Sequence, residues 1–256
     1  MTTITKHKTM PSSAPRKMNT ANNLKLALTV SILGAFTTIG QAATVTFGTP
    51  TAIVGASDIS LDGTLLSATA LDFDGNTASD TTVNGVLFVA GTYGGVSAPG
   101  HTINGSNVTL FESGGLPALP GPTTGDTGYN ELMLHLSFLN SADGARPITL
   151  TGLTEGHTYQ FQIWSGQGTA GGAWDNSETT FSDGLTSVVV DSRQYVLGTF
   201  VADATTEQDL TWSGVDSPSN AGLINGIQIR TIAVPEPSST ALLGLGGLAL
   251  ILRRCK

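Results

Sequence analysis

Eight residues, HTYQFQIW at positions 157–164, decide the fold class. Apolar and polar side chains alternate along this run, and a period of two residues is typical of a β-strand. The alternation places Tyr159, Phe161 and Ile163 together on one face. The remaining residues on the other face are Thr158, Gln160, Gln162 and Trp164. We therefore predict a strand whose aromatic and aliphatic face belongs to a hydrophobic core.

Strand-like runs of this kind recur through the middle of the chain and are separated by Gly, Asn, Asp and Pro. No amphipathic helical pattern of convincing length accompanies them. The other predicted strands lie at 44–47, 83–89, 108–111, 131–138, 148–150, 187–190, 195–201, 209–212 and 223–230. This pattern predicts an all-β domain over residues 43–233.

The turn before the strand at 157–164 indicates how the sheets are arranged. Leu153, Gly156 and Tyr159 have the spacing of a tyrosine corner, in which the Tyr hydroxyl hydrogen-bonds a loop to the strand that follows. This spacing resembles fibronectin-like sandwiches, whereas the later runs at 194–200 and 223–230 are similar in style to jelly-roll domains. We expect an antiparallel, jelly-roll-like β-sandwich, with a fibronectin- or Ig-like sandwich as the alternative.

Charge divides the chain into three regions. The formal net charge is −8, yet residues 44–233 hold three arginines against 18 acidic residues, a net charge of −15. The remaining cations lie at the two ends. A protein that contacts the nucleic-acid backbone needs a basic face, so this class is excluded. The single cysteine, Cys255, lies outside the domain, so no disulfide within residues 43–233 stabilises it.

The N-terminal region is organised like a secretory signal peptide. A basic, polar leader precedes an apolar run at 25–39, and small residues occupy the −3 and −1 positions of a cut after Ala42. The alternative is a retained membrane anchor, but the run is short and contains Thr, Ser and Gly. We predict a signal peptide over 1–42, and its long leader suggests that translation starts at Met18.

The C-terminal region has three parts in a fixed order. A Val-Pro-Glu-Pro stretch comes first, an uncharged apolar run follows, and an arginine pair precedes the end of the chain. We predict a transmembrane helix over 240–252. The twelve residues of the apolar run at 241–252 span roughly 18 Å as a helix, against a hydrocarbon core of about 30 Å, so this helix suits temporary retention. The residues of the motif are Val234, Pro235, Glu236, Pro237, Arg253 and Arg254.

This order of elements resembles the PEP-CTERM sorting signal of Gram-negative bacteria. The resemblance covers only residues 234–256. It implies that an exosortase in the inner membrane recognises the Pro-Glu-Pro segment, cuts near it, and releases the protein to the cell surface or extracellular matrix. The alternative is an ordinary single-pass anchor in which the Pro-Glu-Pro occurs by chance.

An acidic stretch offers a candidate metal site. Its carboxylate and amide oxygens are of the type and density that Ca²⁺ prefers, although its glycine does not stand where the EF-hand loop has one. The same residue types also form ordinary turns, so structural calcium and a plain turn remain alternatives. No other cofactor is predicted. The candidate calcium ligands are Asp72, Asp74, Asn76 and Asp80.

A second set of residues suggests glycan binding, since sandwich modules commonly hold sugar rings with aromatic and polar side chains. Trp164 faces away from the predicted core stripe, and Trp174 lies in a glycine-rich stretch. The alternative for Trp164 is a core position on the other face of the strand. The candidate glycan-binding residues are Trp164, Trp174, Asp175, Asn176, Glu178 and Arg193.

These patterns predict an exported protein of the cell surface or exopolysaccharide matrix, structural or adhesive, with glycan binding as a further role. The alternative is a secreted polysaccharide-active hydrolase, which would need two facing carboxylates that the sequence does not locate. We therefore predict no catalytic residue and no enzyme activity. A domain with a net charge of −15 repels anionic polymers, so the expected partner is neutral glycan, or acidic glycan bridged by calcium.

Overall fold

The computed structural model describes residues 43–71, 80–91, 101–102, 106–111, 114–116, 124–166, 176–215 and 221–233. Helix in this part of the chain is confined to 3₁₀ turns at Ala56–Asp58 and Ser141–Asp143 and to α1 (Thr127–Leu132). In chain order, the strands are β1 (Thr46–Phe47), β2 (Thr51–Ala52), β3 (Thr64–Leu71), β4 (Thr81–Val83), β5 (Val86–Gly91), β6 (His101–Thr102), β7 (Val108–Leu110), β8 (Gly114–Leu116), β9 (Leu136–Asn140), β10 (Arg146–Leu150), β11 (Thr158–Ser165), β12 (Glu178–Ser182), β13 (Ser187–Asp191), β14 (Gln194–Val201), β15 (Gln208–Gly214), β16 (Ala221–Ile224) and β17 (Gly226–Ile232). The predicted all-β class is confirmed.

The described strands form three sheets. Sheet I has the order β1-β14-β11-β17-β3-β5-β4, with β2 also paired to β14; sheet II has the order β13-β12-β15-β10-β7-β6; sheet III has the order β16-β9-β8. These pairs are antiparallel except for β3 and β5, which run parallel. The chain crosses between sheets I and II along β10, β11 and β12, and again along β13, β14 and β15. Such crossings agree with the predicted jelly-roll-like sandwich.

The main core lies between sheets I and II. The predicted core face of β11 contributes Tyr159, Phe161 and Ile163, and sheet II contributes Phe181 and Trp212 from the opposite side. The predicted alternation of β11 is therefore confirmed for this face. Large apolar side chains from both sheets interdigitate here, so the burial of apolar area holds the two layers together.

The opposite face of β11 is buried as well, and this corrects one prediction. Trp164 has 0% of its surface exposed, and its ring centroid lies 5.5 Å from that of Phe88 in an edge-to-face arrangement. Tyr129 and Leu132 of α1 pack in the same cluster. The prediction that Trp164 projects to solvent as a glycan-binding platform is wrong, because Phe88 of β5 and residues of α1 pack in the same buried cluster.

The rest of that face carries a stripe of polar side chains. Residues 58–63 pack over this stripe, and we call residues 58–63 the cover segment. Its Ser60 N–H donates to Gln162 Oε1 at 2.9 Å, and carbonyl oxygens of residues 61–63 accept from the Arg230 guanidinium at 2.8–3.2 Å. The stripe consists of Gln160, Gln162, Gln228 and Arg230. Backbone groups of the cover segment therefore act as hydrogen-bond partners for side chains of the stripe. On an exposed sheet face, water would take this role.

The predicted tyrosine corner is confirmed. The Thr154 N–H donates to the Tyr159 hydroxyl oxygen at 2.8 Å, so the loop before β11 is hydrogen-bonded to the strand itself. The Tyr159 ring stacks on that of Phe200, with 5.7 Å between the centroids. This contact links the corner to β14, the neighbouring strand of sheet I.

Three predicted strands are not single strands in the structure. The run 83–89 is a hairpin whose turn residues, Asn84 and Gly85, have φ angles of 49° and 77° and suit a tight type I′ turn. The run 131–138 spans the end of α1 and the start of β9. The run 223–230 is divided at Asn225, whose amide donates to the carbonyl oxygens of Met133 and His135. Each division occurs at a polar or turn-forming position.

Several predictions concern residues outside the described part of the chain. The signal peptide at 1–42, the sorting motif beginning at 234 and the transmembrane helix at 240–252 are among them. Within the described ranges, no helix has the length and apolar character needed to cross a membrane.

Candidate functional site

A cavity of about 580 Å³ lies where the chain passes from sheet II to sheet I. Its walls are formed by β2, the start of β12, the end of β13 and the start of β14. Ala52 and Ile53 supply apolar surface. Its volume falls within the range of about 300–1,000 Å³ that is typical of small-molecule sites. The polar residues of the lining are Asn176, Ser177, Glu178, Asp191, Ser192, Arg193 and Gln194.

Residues 191–194, which we call the crossing turn, are held firmly in place. The Ser192 N–H donates to the Ser177 carbonyl oxygen at 2.8 Å, and the Ile53 N–H donates to the Arg193 carbonyl oxygen at 2.9 Å. Gly166 packs directly beneath the turn, since a Cβ there would lie 2.1 Å from the Arg193 backbone nitrogen. Arg193 has a φ of 64°, a left-handed conformation that costs a non-glycine residue about 1–2 kcal/mol.

Two carboxylates lie side by side in the cavity wall. Glu178 and Asp191 are direct partners in the antiparallel pairing of β12 with β13. Side chains at such positions have Cβ atoms about 4.5–5.5 Å apart, and like charges there repel each other. Arg193 lines the same cavity and supplies a positive charge. The lining therefore offers hydrogen-bond acceptors and donors within a few ångströms, with a net charge of one negative unit.

A buried hydroxyl network supports β12 beneath the cavity. The Thr179 and Ser165 hydroxyl oxygens lie 2.9 Å apart, and the Leu223 N–H donates to Thr179 Oγ1 at 2.8 Å. The Thr179 hydroxyl in turn donates to the Leu223 carbonyl oxygen at 3.3 Å. One threonine thus connects strands of all three sheets directly next to Glu178. This network fixes the position from which the Glu178 side chain extends.

The structure brings together half of the predicted glycan-binding residues. Asn176, Glu178 and Arg193 all line the cavity. Trp164 lies in the core and does not reach it. Trp174 and Asp175 lie outside the described residues.

The polar lining also contains Ser177, Asp191, Ser192 and Gln194, which the sequence reasoning missed. A signal for Asp191 was present, because an Asp-Gly turn at Asp183 and Gly184 joins two strand-like runs. Counting outward from that turn pairs Ser182 with Ser187 and places Asp191 opposite Glu178. Gln194 lies beyond this register, at the start of β14, and no local pattern places it in the cavity.

The calcium hypothesis is tested at one position only. Asp72, Asp74 and Asn76 lie outside the described residues. Asp80 Oδ1 accepts a hydrogen bond from the Ala90 N–H at 3.0 Å, so this carboxylate takes part in the β4–β5 hairpin. In the part of the chain that the structure describes, no cluster of three or more His, Cys, Asp or Glu side chains could hold a metal ion. Calcium binding at residues 72–80 remains a prediction.

The sequence directly after β17 decides how the protein is sorted. Residues 233–254 match the family described as the PEP-CTERM protein-sorting motif. The chain carries a PEP-CTERM sorting motif. The predicted resemblance is confirmed, and every motif residue named above lies within the match. The PEP-CTERM motif implies export, transient membrane anchoring and sorting by an exosortase.

The chain resembles solved structures of plant proteins at low sequence identity. The ANX2 ectodomain from Arabidopsis thaliana is 9% identical with a TM-score of 0.41, covering 67% of this chain and 50% of the other. The plant receptor-like kinase FER is 14% identical with a TM-score of 0.40, covering 67% of this chain and 43% of the other. The chain thus spans about half the length of these chains. No curated protein matches it.

Proposed function

We propose that this protein is an exported component of the cell surface or exopolysaccharide matrix of a Gram-negative bacterium, where it serves a structural or adhesive role and binds glycan. The observation that carries the proposal is the PEP-CTERM match at residues 233–254. It begins at the residue after β17 ends, so the whole described sandwich lies on the exported side of the motif.

The net charge of the domain supports this location and limits the class of glycan that it can bind. Once a signal peptide at 1–42 and the sorting segment are removed, three arginines and no lysine remain against 18 acidic residues. A net charge of −15 keeps such a domain soluble and repels anionic polymers. A neutral glycan is therefore the favoured partner, and an acidic glycan would need calcium as a bridge.

Intact mass spectrometry of the protein exported by a host that makes exosortase tests the sorting proposal. We expect a mass that lacks both residues 1–42 and the arginine pair Arg253 and Arg254. A matched variant with Pro235, Glu236 and Pro237 changed to alanine should retain the C-terminal segment and stay with the membrane fraction. An exported wild-type protein that still carries the arginine pair would contradict exosortase processing.

The adjacent carboxylates Glu178 and Asp191 give a specific reason to test the alternative, a polysaccharide-active hydrolase. Retaining glycosidases place two carboxyl groups about 5–5.5 Å apart, and opposite positions of an antiparallel pair allow such a separation. Incubating the protein with a glycan that it binds should release no reducing ends if the protein is a binding module. Release that disappears in Glu178→Gln would establish the hydrolase instead.

A further inference from the structure

We propose that the cavity at the crossing turn binds a neutral saccharide through Glu178, Asp191, Arg193 and Gln194. The inference rests on the proposed function in one respect, since it takes glycan as the ligand class. It goes further by assigning the binding site, and it makes no use of the tryptophans on which the sequence-based hypothesis depended.

The chemistry of the lining fits a ligand that is rich in hydroxyl groups. A sugar hydroxyl both donates and accepts a hydrogen bond, and the cavity offers both functions on neighbouring side chains. The carboxylates of Glu178 and Asp191 accept, and the Arg193 guanidinium donates. Gln194 Oε1 already accepts from the Asp191 N–H at 3.1 Å, which leaves the Gln194 amide nitrogen to donate. Adjacent hydroxyl groups on one ring match this alternation.

The charge of the site excludes an anionic ligand. Two carboxylates outweigh one guanidinium within the lining, and the domain as a whole, lining included, carries a net charge of −15. An anion would lose its hydration and then meet a negative potential. A neutral saccharide has no such penalty, because its hydroxyl groups exchange water for carboxylate and guanidinium partners.

A second observation points independently to a ligand. Ser177 lines the cavity and is only 2% exposed, yet its hydroxyl oxygen has no hydrogen-bond partner among the described residues. Buried hydroxyl groups are nearly always paired, and those that are not call for an explanation. A ligand hydroxyl that reaches the end of the cavity would provide the missing partner.

Arg193 holds its guanidinium at the cavity from a left-handed backbone conformation. Glycine would adopt the φ of 64° at Arg193 without a steric cost, whereas arginine does not. Strained residues that the surroundings hold in place cluster at ligand-binding positions. Gly166 supplies the close packing that holds this turn, since any side chain there would collide with the backbone of residues 192 and 193.

Two variants separate binding from folding. In Glu178→Gln the side chain keeps its size and loses its charge. Arg193→Gly removes the guanidinium and relieves the strained backbone at the same time. Glu207→Gln is the matched control, because Glu207 is exposed and lies at the opposite end of β15 from the cavity. We expect each cavity variant to weaken saccharide binding at least tenfold, the control to stay within twofold, and Arg193→Gly to unfold at the wild-type temperature or higher.

Titration calorimetry on the exported protein measures these changes. The probes are gluco-, manno- and galacto-oligosaccharides and oligouronates, each titrated once with calcium and once with a chelator. Binding of a neutral oligosaccharide in the chelator, lost in both cavity variants, supports the proposal. Binding of oligouronates alone, or binding that needs calcium, overturns it. A neutral saccharide that all three variants bind equally places glycan binding elsewhere, so the cavity assignment fails and the proposed function stands. No binding to any probe removes glycan binding from both proposals and leaves exosortase sorting to the mass measurement.

Discussion

A single methyl group at Gly198 should disrupt the main core. Gly198 on β14 lies directly opposite Phe161 on β11. A Cβ at this position would be 2.1 Å from Phe161 Cζ and 2.6–2.7 Å from the two Cε atoms of the ring. The ring has little freedom to move away, since the Phe47 and Phe200 rings lie 5.9 Å and 6.4 Å from it, measured between centroids.

The size of the effect follows from these distances. Carbon atoms in contact normally stay about 3.5–4.0 Å apart, so the Phe161 ring would have to move by more than about 1 Å. Inserting a methyl group into a packed core typically costs about 1–3 kcal/mol, and a collision with ring atoms of a fully buried residue places Gly198→Ala at the upper end, about 3 kcal/mol. At about 2–4 °C per kcal/mol for a domain of this size, the melting temperature should fall by about 6–12 °C.

Thermal and urea unfolding of the purified protein measure this loss. Gly125→Ala is the matched control, because no atom lies within 4 Å of the added methyl group and the free energy of unfolding should change by no more than about 0.5 kcal/mol. Phe161→Leu should relieve the collision, so the double variant should be more stable than the sum of the two single changes predicts. Equal stability of the two alanine variants, or strict additivity in the double variant, would refute the reasoning.

Two further predictions concern hydrogen bonds of the sandwich. Tyr159→Phe removes the acceptor for the Thr154 N–H and should lower the free energy of unfolding by about 1 kcal/mol in urea, and an unchanged midpoint would show that the corner does not stabilise the fold. Burial raises the pKa of Asp183, but hydrogen bonds from the Thr186 and Val45 N–H groups outweigh it and hold this pKa below its usual range. The stabilisation from Asp183 is therefore present above the usual carboxyl pKa and lost as the pH falls through the lowered one, so Asp183→Asn should be less stable than wild type at pH 7, and the difference should shrink below about pH 4. A difference that stays constant from neutral to acidic pH would contradict this account.

The sequence predicted the sandwich because its strongest signals are local. The alternation in β11 and the spacing of Leu153, Gly156 and Tyr159 each depend on neighbours within a few residues, and both are confirmed. The division of the run 83–89 could also have been predicted, because Asn84 and Gly85 form the strongest short hairpin signal.

Trp164 shows what alternation leaves undetermined. A period of two assigns side chains to two faces but does not say which face meets water. Trp164 is buried by side chains of α1 (Thr127–Leu132) and of the β4–β5 hairpin (residues 81–91), which are distant from β11 along the chain. No local pattern in β11 reports these distant contacts.

The candidate site was predicted in part for a related reason. Asn176 and Glu178 are close together in sequence, and the hairpin at Asp183 adds Asp191 through a local register. Arg193 enters the cavity because the chain changes sheets after β13. That change is a property of the whole sandwich and has no signature in the residues of the turn.

The position of β17 makes sheet I depend on the last described residues of the chain. This strand lies between β11 and β3 in sheet I, so residues 226–232 complete the middle of the sheet and not its edge. Until they pair, β3 and β11 each lack a neighbour, and the sorting motif follows directly at residue 233. Sheet I can therefore close only when the chain is available for pairing up to the start of the sorting motif.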